Sequence, residues 1–114
     1  MEHGEDLRVT DLDNRIALAR ACDIGNLHLV KYLVWLGAGI YHKNNFGATH
    51  LFNACFSENL ILVKNLVDHG LDINKESDDG QTPLFIACKN GHKDNVKYLV
   101  DHGADIQKKK WQLW

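Results

Sequence analysis

Residues of the same type recur every 33 positions along this chain without a gap, and that period limits the fold more than any other feature. Cys22, Cys55 and Cys88 share one register position, as do Ala21, Ala54 and Ala87. The string Gly47-Ala48-Thr49-His50-Leu51-Phe52-Asn53-Ala54-Cys55 lines up with Gly80-Gln81-Thr82-Pro83-Leu84-Phe85-Ile86-Ala87-Cys88. The second halves agree better still: Val30-Lys31-Tyr32-Leu33-Val34, Val63-Lys64-Asn65-Leu66-Val67 and Val96-Lys97-Tyr98-Leu99-Val100. Gly37, Gly70 and Gly103 close each unit, followed by Ile40, Ile73 and Ile106. A fixed period of this length means stacked supersecondary units that bury their apolar faces against one another. The question such a chain poses is which partner it meets, not which reaction it runs.

The third unit reads most clearly. Thr82 is a good N-cap, and Pro83 suits the first helical position, where its missing N–H is not needed. Leu84, Ala87 and Cys88 then form one apolar helical stripe. Asn90-Gly91 ends that short helix through a left-handed glycine. A second helix is expected from about Lys93 to His102, with Val96, Leu99 and Val100 as its buried face, before Gly103 stops it. Each unit is helix, turn, helix and extended loop, and neither helix is long enough to stand alone in water.

A length of 114 residues allows one domain, and a net charge of −2 argues against a broad basic footprint for nucleic acid. Lys108-Lys109-Lys110 reads as a solvated terminal tract. No stretch approaches the ~20 apolar residues of a membrane span, and the polar, acidic start Met1-Glu2-His3-Gly4-Glu5-Asp6 is no secretory signal. Equivalent positions in stacked helices lie ~8–10 Å apart, too far for a disulfide. Cys22, Cys55 and Cys88 are therefore expected to be buried, reduced and slow to react, which suits a cytoplasmic address, or a nuclear one.

With Gly80-x-Thr82-Pro83-Leu84-Phe85-x-Ala87-Cys88-x-x-Gly91-His92 and Val96-x-x-Leu99-Val100-x-x-Gly103-Ala104-Asp105-Ile106, the third unit resembles an ankyrin repeat. The resemblance implies an all-α solenoid of helix-turn-helix units joined by hairpin loops. It divides the chain into a polar segment (1–10), a cap-like first repeat (11–43), repeats at 44–76 and 77–109, and a tail (110–114) at the start of an absent fourth. It also implies a concave face of short inner helices and hairpin fingertips that binds proteins without catalysis. Several positions depart from the pattern. His50 replaces the proline of unit two, and Phe52 and Phe85 stand where the family has histidine, which removes side-chain ties between loops. Glu58 takes the turn position of Gly25 and Gly91, where a left-handed non-glycine residue costs ~1 kcal/mol. Unit one has lost the Thr-Pro-Leu start, and its polar Arg15 and Arg20 suit an end unit facing water.

Mapped onto this pattern, the fingertips carry Leu12, Asp13 and Arg15 in unit one, Asn45, Phe46 and Ala48 in unit two, and Asp78, Asp79 and Gln81 in unit three. The ends of the inner helices add Asp23 and Ile24, then Phe56 and Ser57, then Lys89 and Asn90. Phe46, Phe56 and Ile24 are the candidate anchors of a partner site; the bland alternative is that they pack under neighbouring loops. On the back, Trp35, Leu36 and Ile61 occupy positions that are usually polar and would suit a lateral contact or a weak homodimer. Trp111, Leu113 and Trp114 are the large apolar groups available to cap unit three or to associate with another copy. No phosphate loop, His-Glu-x-x-His helix, Cys-x-x-Cys pair or nucleophile elbow occurs, and the histidines show no ligand spacing. The chain reads as a non-enzymatic protein-binding module with no cofactor or metal; the alternative is a self-assembling scaffold unit.

Overall fold

The computed structural model describes residues 11–106, with side chains from Arg15 onward. Six helices occur in this span: α1 (Asp11–Ile24), α2 (Leu27–Trp35), α3 (His50–Phe56), α4 (Leu60–Asp68), α5 (Pro83–Lys89) and α6 (Lys93–Asp101). Each consecutive pair forms a helical hairpin, and the inner helices α1, α3 and α5 stack in a row, with α4 resting on α6 behind them. This is the all-α stack that the period implies.

Register explains the core. Leu18, Leu51 and Leu84 are buried at one repeat position, Ala21, Ala54 and Ala87 at a second, and Leu66 and Leu99 on the outer helices. Thr82 caps α5 as its sequence suggests, its hydroxyl accepting the Phe85 N–H at 3.2 Å with Pro83 at the helix start. Asn26 and Asn59 cap α2 and α4 in the same way, accepting from the amides of Leu29 and Leu62.

Loops between units are tied by side chains at positions other than the two that Phe52 and Phe85 fill. The Asn59 side-chain amide donates to the Gly25 carbonyl at 2.6 Å, Asn95 to Ser57 at 2.9 Å, and Tyr41 Oη to the His69 carbonyl at 2.6 Å. Asn95 thereby takes a buried place on α6, while Val100, expected on the buried face, is 41% exposed. Leu36 is buried, not exposed on the back, whereas Trp35 and Ile61 are exposed there.

Two further expectations give way to different geometry. Among the described residues every positive φ belongs to glycine, so Glu58 does not adopt the left-handed turn. α3 ends at the same register as α5, but Ser57 is extended (φ −87°, ψ 161°) where Asn90 is still helical, and the Ser57 hydroxyl donates to the Ala54 carbonyl at 2.7 Å. In unit one no fingertip forms: Leu12, Asp13 and Arg15 all lie within α1. The fingertip turns of the other units rest on Gly47 (φ +80°) and Gly80 (φ +83°), and unit one has Asn14 at that register, so its helix runs on unbroken.

The cysteines separate by position in the stack. Cys22 and Cys55 are buried and burial pushes both thiols up to about 12, with Asp23 adding to the effect at Cys22. Cys88 is exposed, because among the described residues nothing stacks on the outer side of α5 as α5 does on α3. Burial raises its pKa as well. A thiol reagent on the native protein should therefore modify Cys88 at least about tenfold faster than Cys22 or Cys55, as read by peptide mass mapping. Equal rates at the three sites would contradict this stacking order.

Candidate functional site

The candidate site is built around one tight turn. Asn44 Oδ1 accepts the amides of Phe46 at 2.8 Å and Ala48 at 3.0 Å, and Asn44 N–H donates to the Ala48 carbonyl at 2.9 Å. Lys43 and Thr49 pair across the base of this fingertip. The next fingertip repeats the arrangement with Ser77: its amide donates to the Gln81 carbonyl at 2.8 Å, and its hydroxyl donates to Asp79 Oδ1 at 2.6 Å. The two turns are joined by Asp78 N–H donating to the Phe46 carbonyl at 2.7 Å. Gly47 is favoured by its positive φ, and a Cβ there would also lie 3.3 Å from the Asp78 backbone nitrogen, a close approach that glycine eases.

These bonds hold two phenylalanines out of the core. Phe46 is 72% exposed and Phe56 is 48% exposed. The backbone of each is nevertheless pinned from unit three: the Phe46 carbonyl by Asp78 N–H, and the Phe56 carbonyl by His92 Nε2–H at 2.7 Å.

Two cavities, of about 300 and about 320 Å³, open on either side of Phe46, and both are lined by Asn44, Phe46, Ala48 and Asn53. Their charge differs. The first is bordered by Arg15, Lys43, His42 and His50. The second is bordered by Asp78, Asp79 and Gln81, together with Phe56. Phe46 therefore stands as an apolar ridge between a basic and an acidic half of one groove.

Of the residues singled out from sequence, Arg15, Asn45 and Phe46 border the first cavity, and Phe46, Phe56, Asp78, Asp79 and Gln81 the second. Arg15 reaches it from α1 and donates from Nη1 to the Lys43 carbonyl at 3.1 Å. Ile24 and Lys89 are exposed but border neither cavity, and Ser57 is buried. Trp111, Leu113 and Trp114 lie outside the described residues. Sequence reasoning passed over His50 and Asn53 as site residues. His50 is 4% exposed, and neither of its ring nitrogens has a hydrogen-bond partner. Its pKa is pushed down to about 4, chiefly by burial, then by His42 and Arg15. The signal was its position in the slot that Pro83 fills in unit three. Asn53 occupies the register of Ile86 and donates to Asp23 Oδ1 at 2.9 Å.

Among the described residues no group of three or more His, Cys, Asp or Glu side chains is placed to hold a metal ion, and no helix is long and apolar enough to cross a membrane. A family model describing ankyrin repeats matches the chain in three copies, over residues 2–75 and 18–110. No curated protein matches it.

Proposed function

Because the chain belongs to the ankyrin-repeat family, whose members generally serve as protein-interaction modules, we propose that it is a non-catalytic module binding a segment of a partner protein across the concave groove. Phe46 and Phe56 are its anchors. The observation that carries this reading is that two exposed aromatic side chains sit on backbone fixed by hydrogen bonds from the next unit. A ring presented on rigid backbone loses little entropy on binding, and buried aromatics dominate most interfaces. Repeats at 11–43, 44–76 and 77–109 would each contribute to the groove, and three free thiols suit a reducing compartment, cytoplasm or nucleus.

The test needs only a peptide ligand, and the natural partner does not have to be identified first. Peptides selected from a random display library against the whole chain should lose at least about 2 kcal/mol of affinity, roughly thirtyfold in Kd, on the Phe46→Ala/Phe56→Ala variant. The helical circular dichroism signal should be unchanged, because neither ring belongs to the core. Selected peptides that bind the double variant as tightly as the original would sink the reading.

A second reading draws on the convex side. Tyr32, Trp35 and Ile61 are exposed on the outer helices, with Tyr32 stacked on Trp35 at 6.2 Å. Self-association through that face would appear as a concentration-dependent dimer in sedimentation velocity, removed by Trp35→Ser.

A further inference from the structure

We infer that the cavity floored by His50 is the seat for a carboxylate side chain of the bound peptide, a glutamate whose methylenes rest on the apolar part of the wall. This inference rests on the groove reading above and assigns the chemistry of one half of the groove.

Arg15, from α1, and Lys43, from the approach to the fingertip, give the cavity its positive charge. His42 and, from the first turn of α3, His50 line it with imidazoles, and no carboxylate among the described residues borders it. Asp23 is engaged from the side, by Asn53, and does not border the cavity. Two groups here are buried without hydrogen-bond partners: Arg15 Nε, and both ring nitrogens of His50. Buried polar groups are normally satisfied, and groups left bare beside a cavity are the ones a ligand completes.

The site is also costly to keep, which makes an incidental origin a poor account. In unit three the same position is Pro83, which starts the helix without any polar atom to satisfy. Thr49 precedes His50 in an extended conformation (φ −92°, ψ 175°) that a following proline accepts. A proline at residue 50 would therefore serve the fold, and the histidine serves something else. Burial and the neighbouring Arg15 and His42 hold His50 neutral, so it offers one N–H and one bare nitrogen. An arriving carboxylate accepts from the His50 N–H and the Arg15 Nε–H.

The wall decides between a carboxylate side chain and a free phosphate. Ile16, Ala19, Phe46 and Ala48 make a large share of it apolar. A phosphate ion has nothing to place against those groups, whereas a glutamate stem does. A volume of about 300 Å³ holds one such side chain with room to spare.

The experiment uses the full chain and the display-selected peptides. Peptides that depend on Phe46 should share a Glu or Asp beside an apolar residue. Changing that Glu to Gln should weaken binding to the wild-type chain at least tenfold, and less than twofold to the His50→Pro and Arg15→Gln variants. The His50→Pro chain should melt no lower than wild type; if it fails to fold, Ala19→Phe, which fills the cavity from α1, provides the same comparison. In the wild-type chain the peptide should also raise the pKa of His50 followed by ring-proton NMR. Peptides that depend on Phe46 but show no acid preference, or the same Glu→Gln loss in every chain, would overturn the carboxylate seat while leaving the groove reading standing. Peptides indifferent to Phe46 would overturn both. Displacement of the peptide by millimolar inorganic phosphate, with the His50 signals shifting as they do with peptide, would reassign the cavity to phosphate.

Discussion

Truncating Leu51 to alanine is expected to remove cooperative unfolding from this chain under mild conditions. Leu51 is fully buried on α3, the inner helix that packs on α1 at one side and α5 at the other. Deleting a buried leucine side chain costs about 3–5 kcal/mol, transfer and cavity terms together. A domain of this size has roughly 5–15 kcal/mol in total. In a linear stack the central unit also carries both interfaces, so its loss uncouples the ends. Val100→Ala, on a side chain that is 41% exposed, should cost less than about 0.5 kcal/mol. Urea denaturation followed by circular dichroism checks the pair. Leu51→Ala and Val100→Ala midpoints that fall together would mean that the inner helices do not carry the core.

The second large effect is expected in acid and comes from His50. Its ordinary value of 6.5 is lowered to about 4 in the fold, by burial first and then by His42 and Arg15. A histidine held neutral by the fold binds its proton more readily once unfolded. Between pH 6.5 and about 4 the unfolded chain therefore takes up a proton that the folded chain refuses, and stability falls as pH falls through that window. Above pH 6.5 the contribution is complete, and below about 4 it has gone. At about 1.4 kcal/mol per pH unit the loss is roughly 3 kcal/mol. His50→Pro removes this titration, and a proline at a compatible helix start adds about 0.4–1 kcal/mol of its own. The wild-type and His50→Pro melting curves should lie close together at pH 7.5 and separate by pH 4.5, with the variant the more stable. Parallel acid profiles would show that His50 is not held neutral by the fold.

How much of this was legible in the sequence follows from which interactions are local. Helix starts and stops are decided by near neighbours, so Thr82-Pro83, Gly91 and Gly103 could be read directly. The Ser57 turn is local too, but it is a different local solution: a serine hydroxyl bonding three residues back leaves Glu58 no need to turn left-handed. Exposure is another matter, because it depends on the next unit. Cys22, Cys55 and Cys88 are identical in sequence register and differ only in what stacks on them. The repeat pattern singled out Phe46 and Phe56, which border one cavity, but it does not show the carbonyl bonds from Asp78 and His92 that hold them. His50 was visible only as a missing proline; its bare nitrogens and its cavity come from α1 folding over it, which the period alone does not show. Arg15 illustrates the same limit, since a helix in place of a fingertip still brings it to the groove.

Partner binding is expected in the groove on both sides of Phe46. Its most direct test is a map of backbone amide shifts on adding a display-selected peptide to the isotope-labelled chain. The largest changes are expected at Asn45, Phe46, Ala48, Asn53, Phe56 and Gln81, with Tyr32 and Ile61 on the outer helices unmoved. Changes concentrated at Tyr32 and Ile61, with the groove amides unmoved, would contradict it.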